Sequence, residues 1–218
     1  MMEQTFGLPW ESPVARMLEY GAILRDLLEE GRASYNGRHY RVEATLWLAE
    51  RPKVPIVVGA LGEQMCRAAG RFADGIMTWL APASFLTSVV IPAARREAER
   101  AGRPVPRVVA AIPAALGSNR SAALEGLNTA FGGMAHAPSY LGMLERAGLA
   151  RPTNEGGWTD EVLDAVVAWG DESDLGAKVR KLVDAGADEV VLWPFPVGDD
   201  PAASLTATLD AMKELAGR

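Results

Sequence analysis

The chain has 218 residues, of which 49% are hydrophobic and 23% charged, and its formal net charge is −6. This composition is typical of a globular protein with a substantial core, and an acidic balance without a basic cluster argues against nucleic-acid binding. The single cysteine, Cys66, excludes an internal disulfide and a cysteine zinc site, and no apolar run reaches the roughly 18 residues of a membrane span. We therefore expect a cytoplasmic protein that binds no metal, nucleic acid or membrane.

The start of the chain, residues 1–53, predicts a helix followed by a hairpin. Ser12 is a candidate N-cap, and apolar residues then recur at helical spacing up to Gly31, a residue type that commonly follows a helix. Asn36-Gly37 stands between two short runs of aromatic and β-branched residues. This dipeptide indicates the turn of a β-hairpin.

Residues 54–80 predict one strand–helix–strand unit. Residues 56–58 and 76–80 have the β-branched, apolar character of strands, and residues 63–73 have helical spacing. The small residues 59–62 form the turn that leads into the helix. Free backbone N–H groups and the positive end of the helix dipole meet at such a turn, so a phosphate is a natural ligand. The turn matches neither the P-loop nor the dinucleotide-binding motif, and most turns of this kind bind no ligand.

The rest of the chain predicts two further strands among helices. The strands are residues 107–115 and 189–193, and the main helices are 82–100, 119–131, 138–147, 161–169, 175–185 and 204–216. Asn119 (or Ser118) and Thr159 are the candidate N-caps. Four apolar strands that alternate with helices predict an α/β fold, in which helices cover a parallel sheet. We expect one domain over 1–218.

Several segments, in this order and spacing, resemble the bacterial luciferase-like flavin oxidoreductases, in particular the branch that uses coenzyme F420. The matching segments are Tyr35–Gly37, Val57–Gly62, Ala69-Gly70, Ala73–Gly75, Thr78–Leu80, Ala101–Pro104, Pro138–Tyr140 and Asp184–Asp188. The likeness covers nearly all of the chain.

The resemblance implies a (β/α)8 TIM-type barrel that binds FMN or F420 at the carboxyl ends of its strands. The four predicted strands correspond to the fifth to eighth strands of that barrel, so the chain is expected to be its C-terminal half, with about four β/α units. Such a half-barrel has two open edges and an exposed apolar face. It is expected to pair with another copy as a homo-oligomer (a dimer), to flatten into an open sheet, or to be marginally stable.

Five consecutive residues match the cofactor-phosphate loop of the family: Gly59, Ala60, Leu61, Gly62 and Glu63. The resemblance implies that their backbone amides hold the phosphate, so that the turn matters more than the side chains. Relatives often have Gly-Pro where this chain has Gly62-Glu63, and a carboxylate at an anion site weakens the match unless it points to solvent.

Two strand-end residues resemble positions that flank the cofactor. Thr78 is a candidate hydrogen-bonding residue for a flavin or substrate, and Trp79 a candidate wall of the site; both can equally be packing residues. Trp193 and Phe195 are candidates for the substrate wall, and they too can be packing residues instead.

The remaining polar candidates have simpler interpretations. His39 and His136 lack metal-binding partners at a useful spacing, and Cys66 is expected to be a small buried thiol. Four cations can favour an anionic cofactor tail, although solvated surface charge is the simpler interpretation: Lys53, Arg71, Arg103 and Arg107.

By resemblance, the chain is an F420- or FMN-dependent oxidoreductase that acts on a small organic substrate by hydride transfer or flavin monooxygenation. The cofactor carries that chemistry and the protein orients it. No catalytic acid or base is assigned, since the resemblance puts these residues in the absent half. The alternative is a non-catalytic half-barrel that dimerises and at most binds a flavin or a phosphate.

Overall fold

A computed structural model describes residue 7 and residues 11–48, 50–51, 53–152 and 156–216. The strands are β1 (Arg32–Asn36), β2 (Arg41–Thr45), β3 (Val57–Gly59), β4 (Gly75–Trp79), β5 (Arg107–Leu116), β6 (Ala168–Gly170) and β7 (Glu189–Pro194). The α-helices are α1 (Pro13–Glu30), α2 (Glu63–Phe72), α3 (Ala83–Phe85), α4 (Ile91–Arg100), α5 (Arg120–Phe131), α6 (Pro138–Ala147), α7 (Asp160–Val166), α8 (Glu172–Asp184) and α9 (Pro201–Ala216). A π-helical segment, Leu86–Val90, joins α3 to α4.

The predicted first helix and hairpin are confirmed, with one correction. Helix α1 ends at Gly31, whose φ of 72° is the left-handed conformation expected of glycine there. Strands β1 and β2 pair in antiparallel fashion, and the Gly37 N–H donates to the Tyr40 carbonyl oxygen over 2.9 Å. The capping role of Ser12 is wrong, because Ser12 has a φ of 50° and its side chain makes no capping hydrogen bond.

Strand β5 is the centre of the parallel sheet. Its residues 109–111 pair with residues 77–79 of β4 and also with residues 189–191 of β7, so these two strands lie on opposite sides of β5. Strand β3 extends the sheet beyond β4. All of these pairs are parallel, which confirms the predicted α/β fold.

The sequence-based prediction of a helix over residues 161–169 is wrong in its last part. Helix α7 ends at Val166, and Ala168–Gly170 forms the short strand β6. Strand β5 is longer than β4, so the backbone of its residues 114–116 has no partner in β4. Strand β6 pairs with these residues in parallel. Helical spacing cannot reveal this strand, because its partner is more than fifty residues away in the chain.

The other caps follow the predictions. The Asn119 side chain accepts a hydrogen bond from the Ala122 N–H, and the Thr159 hydroxyl oxygen accepts one from the Val162 N–H. No helix in the described part of the chain combines the length and the apolar character that crossing a membrane requires.

The helices cover one side of the sheet. Side chains alternate between the two sides of a strand, and residues paired in parallel register face the same side. Val58, Ile76 and Val108 are paired in this way and are all buried against the helices. Met77 and Val57 point to the other side, and both are exposed.

Helices α2 and α4 pack closely because of Gly70. A Cβ atom on Gly70 would lie 2.3 Å from the Ala94 carbonyl oxygen, a backbone atom that cannot move aside. A glycine inside a helix costs stability, up to about 1 kcal/mol relative to alanine. Its presence in α2 is explained by this close approach.

We expect Gly70→Ala to lower the free energy of unfolding by about 1–3 kcal/mol, because the added methyl group overpacks the contact with α4. The matched control is Gly142→Ala within α6, where a Cβ atom meets no heavy atom within 4 Å. Its gain in helix propensity should raise stability by up to about 1 kcal/mol. Urea unfolding measures both, and equal effects of the two changes would contradict the proposed packing.

The same helix pair contains a buried carboxylate. Glu97 of α4 accepts hydrogen bonds from Arg67 at 2.9 Å, Arg71 at 2.9 Å and Arg100 at 3.0 Å. The hydrogen bonds from Arg67 and then Arg71 lower the pKa of Glu97 from 4.5 to about 2. The carboxylate therefore stays ionised and holds the two helices together.

Glu97→Gln should destabilise the protein at neutral pH and progressively less in acid. Because the pKa of Glu97 is depressed on folding, its contribution is complete above pH 4.5 and is lost as the pH falls towards 2. Urea midpoints measured from pH 7 to pH 2 should therefore converge between variant and parent. The exposed Glu99→Gln on the same helix is the control, and a constant gap across the pH range would refute the assignment.

Candidate functional site

The candidate site lies where the parallel strands end. The carboxyl ends of β3, β4, β5 and β7 share one edge of the sheet, because the strands run in the same direction. The predicted phosphate loop follows β3 at this edge, Trp79 ends β4, and Trp193 lies near the end of β7.

The loop presents the open N-terminus of α2. Gly62 is the N-cap in an extended conformation, and no side chain caps the helix. The N–H groups of Met65 and Cys66 each donate a hydrogen bond to the Gly62 carbonyl oxygen, over 3.0 Å. A Cβ atom on Gly59 or Gly62 would meet no heavy atom within 4 Å, so there is open space beside the loop.

One hydrogen bond fixes the loop to the neighbouring strand. The Ala60 N–H donates to the Met77 carbonyl oxygen over 3.0 Å, and Ala60 itself is buried. Leu61 is partly buried against the core. The turn is therefore anchored by its buried residues.

The carboxylate of Glu63, the first residue of α2, is neutralised by a cation that was not predicted from the sequence. Arg146 of α6 donates to Glu63 Oε2 over 2.6 Å. This hydrogen bond is the main reason why the pKa of Glu63 is lowered. Arg146 follows Glu63 by 83 residues, and no motif links two residues so far apart, so only the fold reveals the pair.

Replacing Arg146 by alanine should raise the pKa of Glu63 towards its ordinary value, because the hydrogen bond and the positive charge that favour the ionised form are lost. A carbon-detected NMR titration of the glutamate carboxyl groups measures the change. Arg151→Ala is the matched control, since Arg151 binds Glu145 instead, over 2.7 Å. A Glu63 titration that is unchanged by Arg146→Ala would show that the ion pair does not form.

An aromatic cluster borders the same edge of the sheet. The ring of Trp79 lies 5.3 Å from that of Phe131 and 6.1 Å from that of Trp193, in edge-to-face geometry, and Phe131 contacts Phe195 at 6.1 Å. Phe195 is buried, whereas Trp193 is 57% exposed. The cluster combines packing with a tryptophan face that is open to a ligand. Phe131 was not predicted as a member, because its position on α5 reaches the sheet only in the folded chain.

Thr78 lies apart from this cluster. It is 1% exposed and points to the helical side of the sheet together with Ile76, whereas Trp79 points to the other side. Its hydroxyl oxygen has no hydrogen-bond partner among the described residues. The assignment of Thr78 to the cofactor stays a prediction.

The four other predicted cations do not gather at the loop. Arg71 binds Glu97, Arg103 binds Asp74 over 3.1 Å, and Arg107 pairs with Glu189. Together with Lys53, they lie towards the amino ends of the strands, at the opposite edge of the sheet. Ion pairing and solvated charge therefore describe them better than a role beside an anionic cofactor.

A surface cavity of about 590 Å³ lies at this amino edge as well. It is lined by carboxylates as well as cations, among them Glu29, Asp74, Arg25 and Lys53. The mixed charges favour no particular ligand, and the loop geometry is the better guide to the site.

Cysteine and histidine chemistry is not supported at the site. Cys66 is fully buried, and burial raises the pKa of its thiol to about 12, as expected of an inert packing residue. A ring nitrogen of His136 lies 2.7 Å from the Gly156 carbonyl oxygen, a loop contact. Within the described ranges, no group of three metal-ligating side chains is present.

The residues at this edge fit a phosphate group. The α2 N-terminus is uncapped, space is open beside Gly59 and Gly62, and Arg146 offsets the charge of Glu63. A bound phosphate would accept hydrogen bonds from the first backbone amides of the helix.

Comparisons with curated proteins find dehydrogenase relatives that are longer than this chain. An F420-dependent glucose-6-phosphate dehydrogenase of Nakamurella multipartita is 36% identical over 106 residues, which are 46% of this chain and 31% of that protein. One of Intrasporangium calvum is 29% identical over 209 residues, 91% of this chain and 61% of that protein. The chain thus spans 31% and 61% of the length of these two relatives.

Solved structures share the fold. An F420-dependent secondary alcohol dehydrogenase in complex with an F420-acetone adduct superposes with a TM-score of 0.76 at 19% identity, covering 98% of this chain and 64% of that one. A coenzyme F420-dependent tetrahydromethanopterin reductase from Methanopyrus kandleri gives 0.73 at 20% identity, covering 99% and 69%.

The sequence model of one family, the luciferase-like monooxygenases, matches residues 1–189, which is most of the chain. The order of strands and helices over the matched residues agrees with the predicted half-barrel. The chain belongs to the luciferase-like monooxygenase family.

Proposed function

We propose that this chain supplies the phosphate-binding half of an F420- or FMN-dependent oxidoreductase site. The observation that carries the proposal is the uncapped N-terminus of α2 at the carboxyl edge of the sheet, with open space beside Gly62. Residues Gly59 to Glu63 hold the phosphate through their backbone amides, and Trp79 borders the ring of the cofactor or the substrate. Thr78 is retained as a candidate hydrogen-bonding residue, although its side chain is buried.

F420 is favoured over FMN. The curated relatives with at least 30% identity include several F420-dependent glucose-6-phosphate dehydrogenases, whose names state this cofactor. The bound cofactor supplies the hydride or oxygen chemistry. The chain itself holds the phosphate and forms one wall with Trp79 and Trp193, which excludes water from that side of a small organic substrate.

A non-catalytic half-barrel is the second candidate. It is compatible with the loop geometry, because an uncapped helix N-terminus can hold an anion without catalysing a reaction. In this alternative the same loop binds a flavin or a phosphate without turnover. In both cases we propose one domain in the cytoplasm, consistent with the lone cysteine, and self-association as a homo-oligomer.

Titration of the purified chain with F420 and with FMN, followed by fluorescence, tests the proposal. We expect binding at micromolar concentrations, with F420 preferred. Glu63→Gln should tighten binding about two- to fivefold, because it removes a negative charge beside the phosphate at a helix terminus. The control is Glu172→Gln, which changes a first-turn glutamate of α8 instead.

Failure of both cofactors to bind at tens of micromolar would reject the cofactor site. Binding that Glu63→Gln and Glu172→Gln change equally would reject its position at α2. Turnover with an organic substrate separates the enzyme from the non-catalytic alternative, since both bind the cofactor.

A further inference from the structure

Trp158 contacts both of the helices that supply residues to the candidate site from outside the sheet. Helix α5 brings Phe131 to the aromatic cluster, and helix α6 brings Arg146 to Glu63. Trp158 itself precedes α7 in the chain and is 3% exposed. Because it is buried and has partners on both helices, its position bears on where each of them lies.

The side-chain amide of Asn128, on α5, holds the backbone of Trp158. Asn128 Oδ1 accepts a hydrogen bond from the Trp158 N–H over 2.6 Å, and Asn128 Nδ2 donates one to the Trp158 carbonyl oxygen over 3.1 Å. We call this pair of hydrogen bonds the Asn128 clamp. Only Asn and Gln side chains offer an amide donor and a carbonyl acceptor side by side, so the clamp depends on the residue type.

Gly157 allows the clamp to form. A Cβ atom on Gly157 would lie 1.9 Å from Asn128 Oδ1, which is closer than two such atoms can approach. The amide therefore packs directly against the backbone before Trp158, and any side chain at position 157 would push the two partners apart.

The indole of Trp158 extends the contact to the end of α5. Its Nε1–H donates a hydrogen bond to the Phe131 carbonyl oxygen over 2.9 Å. Phe131 is the last residue of α5, and carbonyl groups in the last turn of a helix have no partner within the helix. The hydrogen bond therefore fixes the end of α5 at the residue whose ring lies 5.3 Å from that of Trp79.

The same indole packs against α6. The ring of Tyr140 lies 5.6 Å from it in edge-to-face geometry, an arrangement that stabilises aromatic pairs. Met143 and Leu144 of this helix are buried, so α6 is docked through one side. Arg146 belongs to the same helix, and its 2.6 Å contact with Glu63 depends on how α6 is docked.

We propose that Asn128 and Trp158 are positioning residues for the candidate site. Through Phe131 they set the aromatic wall at Trp79, and through α6 they set Arg146 beside the phosphate loop. This inference rests on the proposed function, in which the loop binds the phosphate and Trp79 borders the cofactor. If the clamp only held the chain ahead of α7, its loss would lower stability and leave both parts of the site unchanged.

Asn128→Leu in the full chain tests the proposal, because it keeps most of the side-chain volume, adds no charge and removes both hydrogen bonds. Two signals are measured without cofactor. The first is the fluorine NMR resonance of Trp79 in protein labelled with 5-fluorotryptophan, assigned by its loss in Trp79→Phe. It should move by more than its linewidth, since the Phe131 ring shifts. The second is the carbon-detected titration of Glu63, whose lowered pKa should rise towards its ordinary value as Arg146 moves away.

Asn119→Ala is the matched control on the same helix. It removes the N-cap hydrogen bond to the Ala122 N–H and should destabilise α5 from its other end, which lowers the urea midpoint. Both site signals should stay at their parent values. In the F420 titration, Asn128→Leu should raise the dissociation constant about tenfold and Asn119→Ala should not. Equal changes of both signals in Asn119→Ala would assign them to lost stability and overturn the proposal.

Trp158→Phe keeps the test decisive if Asn128→Leu does not fold, as judged by circular dichroism. It retains a ring against Tyr140 but loses the hydrogen bond to the Phe131 carbonyl oxygen, so the Trp79 resonance should still move. A folded Asn128→Leu that leaves either signal at its parent value would overturn the proposal, and so would a folded Trp158→Phe with an unchanged Trp79 resonance. Because both signals are read without cofactor, a parent chain that binds neither F420 nor FMN rejects the proposed function alone.

Discussion

The hydrogen bonding of β5 is the constraint on which the rest of the structure depends. Residues 109–111 pair with β4 on one side and with β7 on the other, and the end of the strand also holds β6. Backbone groups that are buried must be paired, so this strand fixes the positions of its three neighbours. It also brings the carboxyl ends of β4 and β7 to one edge, and β3, which pairs with β4, ends at the same edge.

The two faces of this sheet are covered to different extents. On the helical face, helices α2 and α4 pack tightly against each other. Gly70 lies against the Ala94 backbone, and two arginines of α2 bind Glu97 of α4. The other face has apolar side chains without comparable cover. Relatives in the same family are longer, and this chain spans 61% of the one it follows over 209 residues. The sheet is therefore well packed against its helices, whereas apolar residues such as Val57 and Met77 on its other face are exposed.

The sequence predicts where the candidate site lies in the chain but not its electrostatics. The small residues 59–62 before a helical pattern predict a turn that leads into a helix, and in the fold that turn follows β3 at the carboxyl edge of the sheet. The neutralisation of Glu63 depends on Arg146, and the aromatic cluster depends on Phe131. Both reach the site from helices far away in sequence, and periodicity or short motifs contain no information about such contacts.

The sequence by itself determined the alternation of strands and helices, the parallel sheet, the hairpin and the family, because each depends on local patterns of apolar, small and turn-forming residues. Only the tertiary structure decided that residues 168–170 form a strand rather than the end of a helix. It alone decided that Thr78 faces the helices and Trp79 the open side. These outcomes depend on which distant residues each backbone segment and side chain contacts, and those contacts exist only in the folded chain.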